Sequence, residues 1–337
     1  MRQVWITGPD AVEVRDVPAP SPGPGEVLVA TAYAGICGSD VHTLHRGHPW
    51  LPYPIAPGHE ASGVLASGER VYLRPAVACG DCFYCARGRP NLCDALIGVG
   101  SHVPGAFADA FVAPAAALAP VPEGVTLAAA AMIEPLATAV HATAVAGDLA
   151  GATVAVLGGG TIGQVTLLAA RAAGASTVVV TDPVAGKREL ARALGATAAL
   201  DPTETAAVPG VLGGRPDVVF DCVASAGTLT AAIGLAVKGG TVVVVGVGHG
   251  PVTVAIETLQ DQEVRVAGSA MYTPADFARA EALVAGGMPV ERLVTSVRPL
   301  AEAPGALRAA ANGADVKIHL AGPAARTVPV QEEEQCG

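Results

Sequence analysis

Residues 153–163 read Thr153-Val154-Ala155-Val156-Leu157-Gly158-Gly159-Gly160-Thr161-Ile162-Gly163, a short apolar run that breaks into glycine and resumes as a helix former. Residues 154–157 have the length and composition of a strand, and residues 162–173 read as a helix closed by Gly174. Glycine at 158, 160 and 163 falls where the chain turns tightly, where backbone approaches a pyrophosphate, and where a helix packs closely on a strand. The helix N-terminus supplies N–H groups and a positive dipole end for phosphates. Glycine-rich turns are common, so the hexapeptide alone is weak. Its context is stronger, because Asp182 closes the next strand-like run, 19 residues after Gly163. A carboxylate there accepts from ribose hydroxyls and repels a 2′-phosphate, which favours NAD over NADP. Lys187 and Arg188 temper the preference, since a basic side chain at that point reaches a phosphate, although both also suit a solvated helix face. The expected cofactor residues are Gly158, Gly160, Thr161, Ile162, Gly163, Asp182 and Arg188.

Working outward, residues 177–181, 217–222, 241–245 and 264–268 read as further strands, with helices at 187–194, 229–237 and 276–285. Short apolar strands spaced by helices predict a parallel sheet covered on both faces. The first third differs. Residues 26–30, 61–65 and 105–111 read as strands among loops, and 126–147 as a helix with few breakers apart from Pro135. Residues 292–320 alternate strand, helix and strand, and 322–337 read as a solvated tail.

The chain has 337 residues, enough for about two domains at roughly 150 residues each. With 51% hydrophobic but only 4% aromatic residues, the interior must be built from Ala, Val and Leu. Mean hydropathy of +0.46 raises the question of a membrane. Glu134, Asp148 and several prolines interrupt every long apolar stretch, and none reaches the roughly 18–20 residues of a span. Residues 1–5 carry no signal-peptide core, so a cytoplasmic address is expected. A net charge of −10 argues against nucleic acid as partner.

Seven cysteines is an odd count, and four cluster as Cys79, Cys82, Cys85 and Cys93 with Gly80, Gly88, Pro90 and Asn91 for turns. Four thiolates satisfy a closed tetrahedral zinc site, which leaves no position for substrate and is therefore structural. An iron–sulfur cluster also takes four cysteines, but its common spacings differ and a proline usually follows the last. Thiols without metal are the plain alternative. A second constellation is Cys37-Gly38-Ser39-Asp40-Val41-His42 with Gly58-His59-Glu60 and an isolated Glu134. Cys37, His59 and a carboxylate make the three ligands of a catalytic zinc with one open position, and Asp40 suits the ring N–H of His59. A buried free cysteine and a salt-bridged Glu134 are the structural alternatives. His45, His48, Trp50, Tyr53, His102, Phe107 and Tyr272 are candidates for the cleft or for ordinary loop contacts. His141 and His319 read as packed residues, Cys222 as core and Cys336 as a tail thiol.

The ordered set of Cys37–Asp40, His59–Gly63, the four-cysteine lobe, Glu134-Pro135-Leu136 and the Gly158–Gly163 turn resembles the zinc-dependent medium-chain dehydrogenase/reductase superfamily. Within it the chain looks most like the sorbitol and polyol dehydrogenase branch. The resemblance implies an α/β protein: a GroES-like, mainly-β catalytic domain (1–148 and 290–337) with a Rossmann domain (149–289) inserted. It implies zinc ligation by Cys37 and His59. Glu60 would be a ligand or exchange with water, and Glu134 would bind directly or through water. Ser39, His42 and Glu60 would be catalytic, with Ser39 and His42 relaying a proton. Two zinc ions per chain, NAD, a small alcohol or ketone substrate and a homodimer or homotetramer follow from it. The implied reaction moves hydride between a secondary alcohol, polyol or sugar-like, and NAD. An aminocyclitol or amino-sugar dehydrogenase, a threonine or simple alcohol dehydrogenase, and a noncatalytic NAD- or zinc-binding protein are the competing readings. The chain departs from the family in a shorter loop between Gly63 and Arg70. It also keeps the four-cysteine lobe that polyol dehydrogenases often lack.

Overall fold

A computed structural model describes residues 1–48, 51–248 and 250–327. The expectations for Trp50, Cys336 and the tail beyond residue 327 lie outside the described residues. In the first half, alternating side chains build antiparallel pairs. β1 (Arg2–Gly8) and β2 (Ala11–Asp16) form a hairpin that buries Val4 and Ile6. β3 (Glu26–Gly35) leads into α1 (Gly38–Arg46), and β4 (Glu60–Leu65) returns antiparallel to it. The shortened loop is a tight hairpin to β5 (Arg70–Leu73), turned at Gly68 with φ +87°. β6 (Ala76–Val77) and β7 (Ile97–Gly98) pair at the base of the four-cysteine segment. β8 (Ala110–Pro114) and β9 (Leu118–Pro120) join the main sheet. The strand expected at 105–111 is therefore displaced, and Ala108 makes only an isolated bridge to Gln3.

The helix expected across 126–147 is two, α2 (Leu127–Ala131) and α3 (Ile133–Ala146), divided at Met132. Pro135 explains the break: it has no N–H to donate, and its ring clashes with a helical carbonyl four residues back, at Ala131.

The parallel sheet then forms from β10 (Thr153–Leu157), β11 (Thr177–Thr181), β12 (Ala198–Leu200), β13 (Val218–Asp221), β14 (Thr241–Val244) and β15 (Arg265–Gly268). Its order is β12-β11-β10-β13-β14-β15, every pair parallel. Helices α4 (Thr161–Ala172), α5 (Ala185–Ala193), α6 (Val208–Leu212), α7 (Ala226–Leu235), α8 (Ile256–Gln262) and α9 (Pro274–Ala285) fall between and after these strands. β16 (Val294–Pro299), α10 (Ala303–Ala311) and β17 (Lys317–Ala321) then return the chain to the first sheet, with His319 of β17 opposite Gly35 of β3. The result is a mainly-β unit interrupted by a Rossmann-type sheet.

α3 joins the two. It buries Ile133, Leu136, Ala139 and Ala142 in a cluster shared with Tyr72 and Ala119 of the first sheet and Val154, Val178 and Phe220 of the second. Each large apolar side chain buried there contributes about 1.5–3 kcal/mol. Among the described residues, no helix is long and apolar enough to cross a membrane.

Candidate metal centre and cofactor cleft

α1 begins where β3 ends. Cys37 caps it in extended backbone, and its N–H donates to Asp40 Oδ2 at 2.9 Å. That bond fixes Asp40, 4% exposed, beneath the cap. The other Asp40 oxygen stands 3.8 Å from His59 Nδ1, an ion-pair separation beyond hydrogen-bond length. Glu60 opens β4, in register with Gly35, and His59 immediately precedes it. A Cβ at Gly35 would fall 2.2 Å from Glu60 Oε2, so only glycine leaves room for the carboxylate. Ligand atoms of Cys37, His59 and Glu60 all lie within 4.8 Å of one another.

Lys317 was not anticipated. Its side chain, inside the sheet at 2% exposure, donates from Nζ to Glu60 Oε2 at 2.5 Å and to Ile36 O at 2.8 Å. The only sequence signal was a lysine within an apolar strand. Burial opposes the Lys317 charge, but Glu60 and Cys37 hold its pKa above the ordinary lysine value. Burial likewise opposes the Glu60 charge, and Lys317 with His59 overcomes this to hold it low. For His59, burial again works against charge, yet Asp40, Cys37 and Glu134 push its pKa well above the usual imidazole value. A buried pocket that draws a proton onto imidazole has a field that favours a cation. Sulfur, nitrogen and carboxylate oxygen are the donors zinc takes, so these residues fit that metal.

Glu134 enters from the first turn of α3 and is 8% exposed. It stands outside the mutual donor set of Cys37, His59 and Glu60. Burial, reinforced by Glu60, pushes its carboxyl up to about 7, and Tyr272 stands near enough to act on it. Tyr272 is thus more than a loop contact. Ser39 and His42, half-buried, lie one turn apart on the same face of α1.

In the lobe, the four sulfurs of Cys79, Cys82, Cys85 and Cys93 lie within 4.8 Å of one another. Two of the separations are 3.4 Å (Cys79–Cys93) and 4.0 Å (Cys79–Cys85). A tetrahedron with Zn–S bonds of about 2.3 Å has edges of roughly 3.8 Å, so the spacing fits zinc. Backbone N–H groups of Cys85 and Asp94 lower the Cys82 thiol to about 6, a thiolate prepared for a metal.

At the glycine turn, Gly158 has φ +98°, and a Cβ on Gly163 would fall 1.7 Å from Gly158 O. A Cβ on Gly160 would meet nothing within 4 Å. The turn and the close packing are therefore used for folding, while the space over Gly160, at the N-cap of α4, is open for a pyrophosphate. Ile162 and Gly163 line the same space. Asp182 is 6% exposed and accepts from Gly159 N and Val184 N, both at 2.8 Å. Two of the expected cofactor residues have protein partners for their side chains. Thr161 spends its hydroxyl on Val316 O, leaving its backbone at the helix end. Arg188 donates to Asp182 O at 2.7 Å, Pro183 O at 2.8 Å and Asp201 Oδ2 at 3.1 Å, so its guanidinium is committed to protein acceptors.

A cleft of about 230 Å³ joins the two sites, lined by Cys37, Gly160, Ile162 and Cys222 among others. Cys222 is therefore a wall of the cleft as well as core, its thiol raised to about 12 by burial. Phe107 is wholly buried in the first sheet's core and takes no part. His45 bonds Asp10 at 2.5 Å, Tyr53 donates to Thr43 O at 2.5 Å, and His102 Nδ1 accepts from Gly98 N at 3.0 Å.

The chain matches the alcohol dehydrogenase GroES-like domain over residues 23–123 and the zinc-binding dehydrogenase family over 161–286. It is 34% identical over 313 residues to a sorbitol dehydrogenase of Arabidopsis thaliana, covering 86% of each chain. A probable D-xylulose reductase A of Aspergillus clavatus is 32% identical, covering 94% of this chain and 95% of that one. Among solved structures, a putative zinc-binding dehydrogenase from Sinorhizobium meliloti bound to NADP superposes with a TM-score of 0.89 at 36% identity. That match covers 95% of this chain and 98% of that one.

Proposed function

The chain belongs to the zinc-dependent alcohol dehydrogenase family of medium-chain dehydrogenases, and from that premise we propose that it interconverts a polyol-like secondary alcohol and its ketone using NAD. The observation that carries this reading is the single cleft in which Cys37, at the donor set, and Gly160, at the cofactor turn, share a wall. The relatives named for sorbitol and xylulose support the polyol class.

When bound, zinc supplies Lewis acidity toward an alcohol or carbonyl oxygen, and the nicotinamide exchanges hydride with carbon. Cys37, His59 and Glu60 would hold the catalytic metal, with Lys317 restricting Glu60 by occupying one of its oxygens. Glu134 would act from the rim, at the first turn of α3. The four lobe cysteines would hold a second, structural metal. Ser39 would accept the substrate hydroxyl proton while giving its own onward toward His42, one turn further along α1, which would release a proton to solvent.

Asp182, already fixed by two backbone donors, is placed to accept from ribose hydroxyls at the end of β11. The engagement of Arg188 removes one cation that would favour a 2′-phosphate, and both points support NAD. The free thiols of Cys37, Cys79, Cys82, Cys85, Cys93 and Cys222 suit the reducing cytoplasm. The outer strand β15, exposed at Arg265, Val266 and Gly268, has no partner on its outer edge among the described residues, which supports a homo-oligomer.

The test is NADH formation against polyols, cyclitols, amino alcohols and simple alcohols, with zinc counted by mass spectrometry. Polyols are expected to give the highest kcat/KM. Cys37→Ser is expected to lose one zinc and all turnover while still binding NAD. A protein that binds NAD yet oxidises none of these classes, or a fully active Cys37→Ser variant, contradicts the reading.

A further inference from the structure

Asn91 lies in the short turn Pro90–Leu92, two residues before the lobe cysteine Cys93, and is 8% exposed. Its Nδ2 donates to Ala270 O at 3.0 Å and stands 3.4 Å from His141 Nε2. These two partners sit on the two segments that bring Tyr272 and Glu134 to the metal centre. Ala270 precedes Tyr272 by two residues, and His141 is two turns along α3 from Glu134.

The second branch closes on the first. His141 Nδ1 is 2.9 Å from Asp276 Oδ2. An ionised carboxylate only accepts, so Nδ1 carries the proton and Nε2 turns a lone pair toward the Asn91 amide. The same Asp276 oxygen accepts from Thr273 N and Thr273 Oγ1, both at 2.7 Å. Tyr272 is therefore held between two fixed neighbours, Ala270 and Thr273. Its ring packs edge-on against Phe277, with centroids 4.6 Å apart. Cysteine ligation in the lobe requires none of these bonds.

We propose that Asn91 is a positioning residue, which passes the fixed position of the four-cysteine lobe to the Ala270–Thr273 segment and, through His141, to α3 and its Glu134. The lobe then has a role in catalysis as well as in stability. The catalytic part rests on the reading of the Cys37–His59–Glu60 centre given above, whereas the structural coupling does not.

The experiment uses the full-length, zinc-loaded enzyme. Asn91→Asp keeps the shape and removes the amide donor, and Asn91→Ala removes the group. Both are expected to retain two zinc ions and the cofactor KM while kcat falls about 10- to 100-fold, the usual cost of losing a group that orients a metal site. Amide hydrogen exchange is expected to accelerate at residues 268–274. Combined with His141→Phe, Asn91→Asp is expected to add little further loss, because both break the same network.

Wild-type kcat in Asn91→Asp, unchanged exchange at 268–274, or losses that multiply in the double variant would each overturn the proposal. If the Asn91 variants lose the lobe metal or do not fold, His141→Phe preserves the ring volume and breaks the other branch. It carries the same expectations, and wild-type kinetics and exchange in it overturn the proposal. Should the wild-type enzyme oxidise no alcohol, the functional reading fails, while the exchange measurement still decides whether Asn91 holds the segment.

Discussion

Lys317 and Glu60 form an ion pair in which each side chain is 1% exposed. Removing one partner leaves the other charged and buried, and such losses cost about 3–5 kcal/mol. Lys317→Met is therefore expected to destabilise the metal-stripped protein by an amount in that range, read from urea unfolding, while Lys317→Arg loses less. An unchanged midpoint would mean that the pair contributes nothing to the fold. His319, two residues along the same strand, is fully buried, and neither ring nitrogen has a hydrogen-bond partner among the described residues. Burial, aided by the Lys317 charge, lowers its pKa to about 3. In the unfolded chain an imidazole protonates near pH 6.5, so below that pH the unfolded state binds a proton that the folded state refuses. The stability this ring confers is full above pH 6.5 and is lost as pH falls toward 3. His319→Leu is expected to gain on the order of 2 kcal/mol relative to wild type between pH 7.5 and pH 5, as about 1.5 pH units at 1.36 kcal/mol each. A constant difference across that range would show that the ring ionises freely. At Asp182, Asp182→Ser is expected to erode the NAD preference in kcat/KM, and an unchanged NAD/NADP ratio would contradict the ribose role.

The glycine turn and α4 show how one element serves two demands. Gly163 cannot accept a Cβ because the clash is with backbone at 1.7 Å, whereas Gly160 has open space around its missing side chain. Gly163→Ala is therefore expected to lower Tm and disturb folding. Gly160→Ala is expected to leave Tm unchanged and to weaken NAD binding at least about tenfold, since its methyl enters the path of the pyrophosphate. Equal NAD affinity in Gly160→Ala would move the phosphates elsewhere. Elements of this kind were legible in the sequence because strand length, glycine spacing and helix ends are local signals. β10, α4 and β11 fall within one or two residues of the expected bounds. α1 was not read as a helix, although it carries Cys37, Ser39 and His42, since its apolar residues are few and glycine opens it. The division at Met132 had a visible cause in Pro135 that composition alone did not weigh. Lys317 and Asn91 were illegible for a different reason: their partners lie 257 and 179 residues away along the chain. The cysteine spacing could indicate a metal, but only the fold places Asn91 against Ala270.

At the scale of the molecule, insertion of one unit within the other does not make them independent. The apolar cluster around α3 runs without interruption from Tyr72 to the parallel sheet. Polar bonds add to it across the seam: Tyr72 to Glu281, Thr161 to Val316 and Arg265 to Ala146 O at 3.0 Å. Unfolding either unit would expose the shared face of α3, so neither retains its core when the other melts. Calorimetry is therefore expected to show one transition for the holoenzyme. NAD at a hundredfold excess over its Kd should raise the stability of that transition by about 2.7 kcal/mol. Cys82→Ser, which opens the lobe, should lower the same transition without creating a second, because the lobe is fastened to α3 and to the Ala270 segment through Asn91. Two resolved transitions, with only one responding to NAD, would show that the seam is weaker than its packing implies and that the domains melt separately.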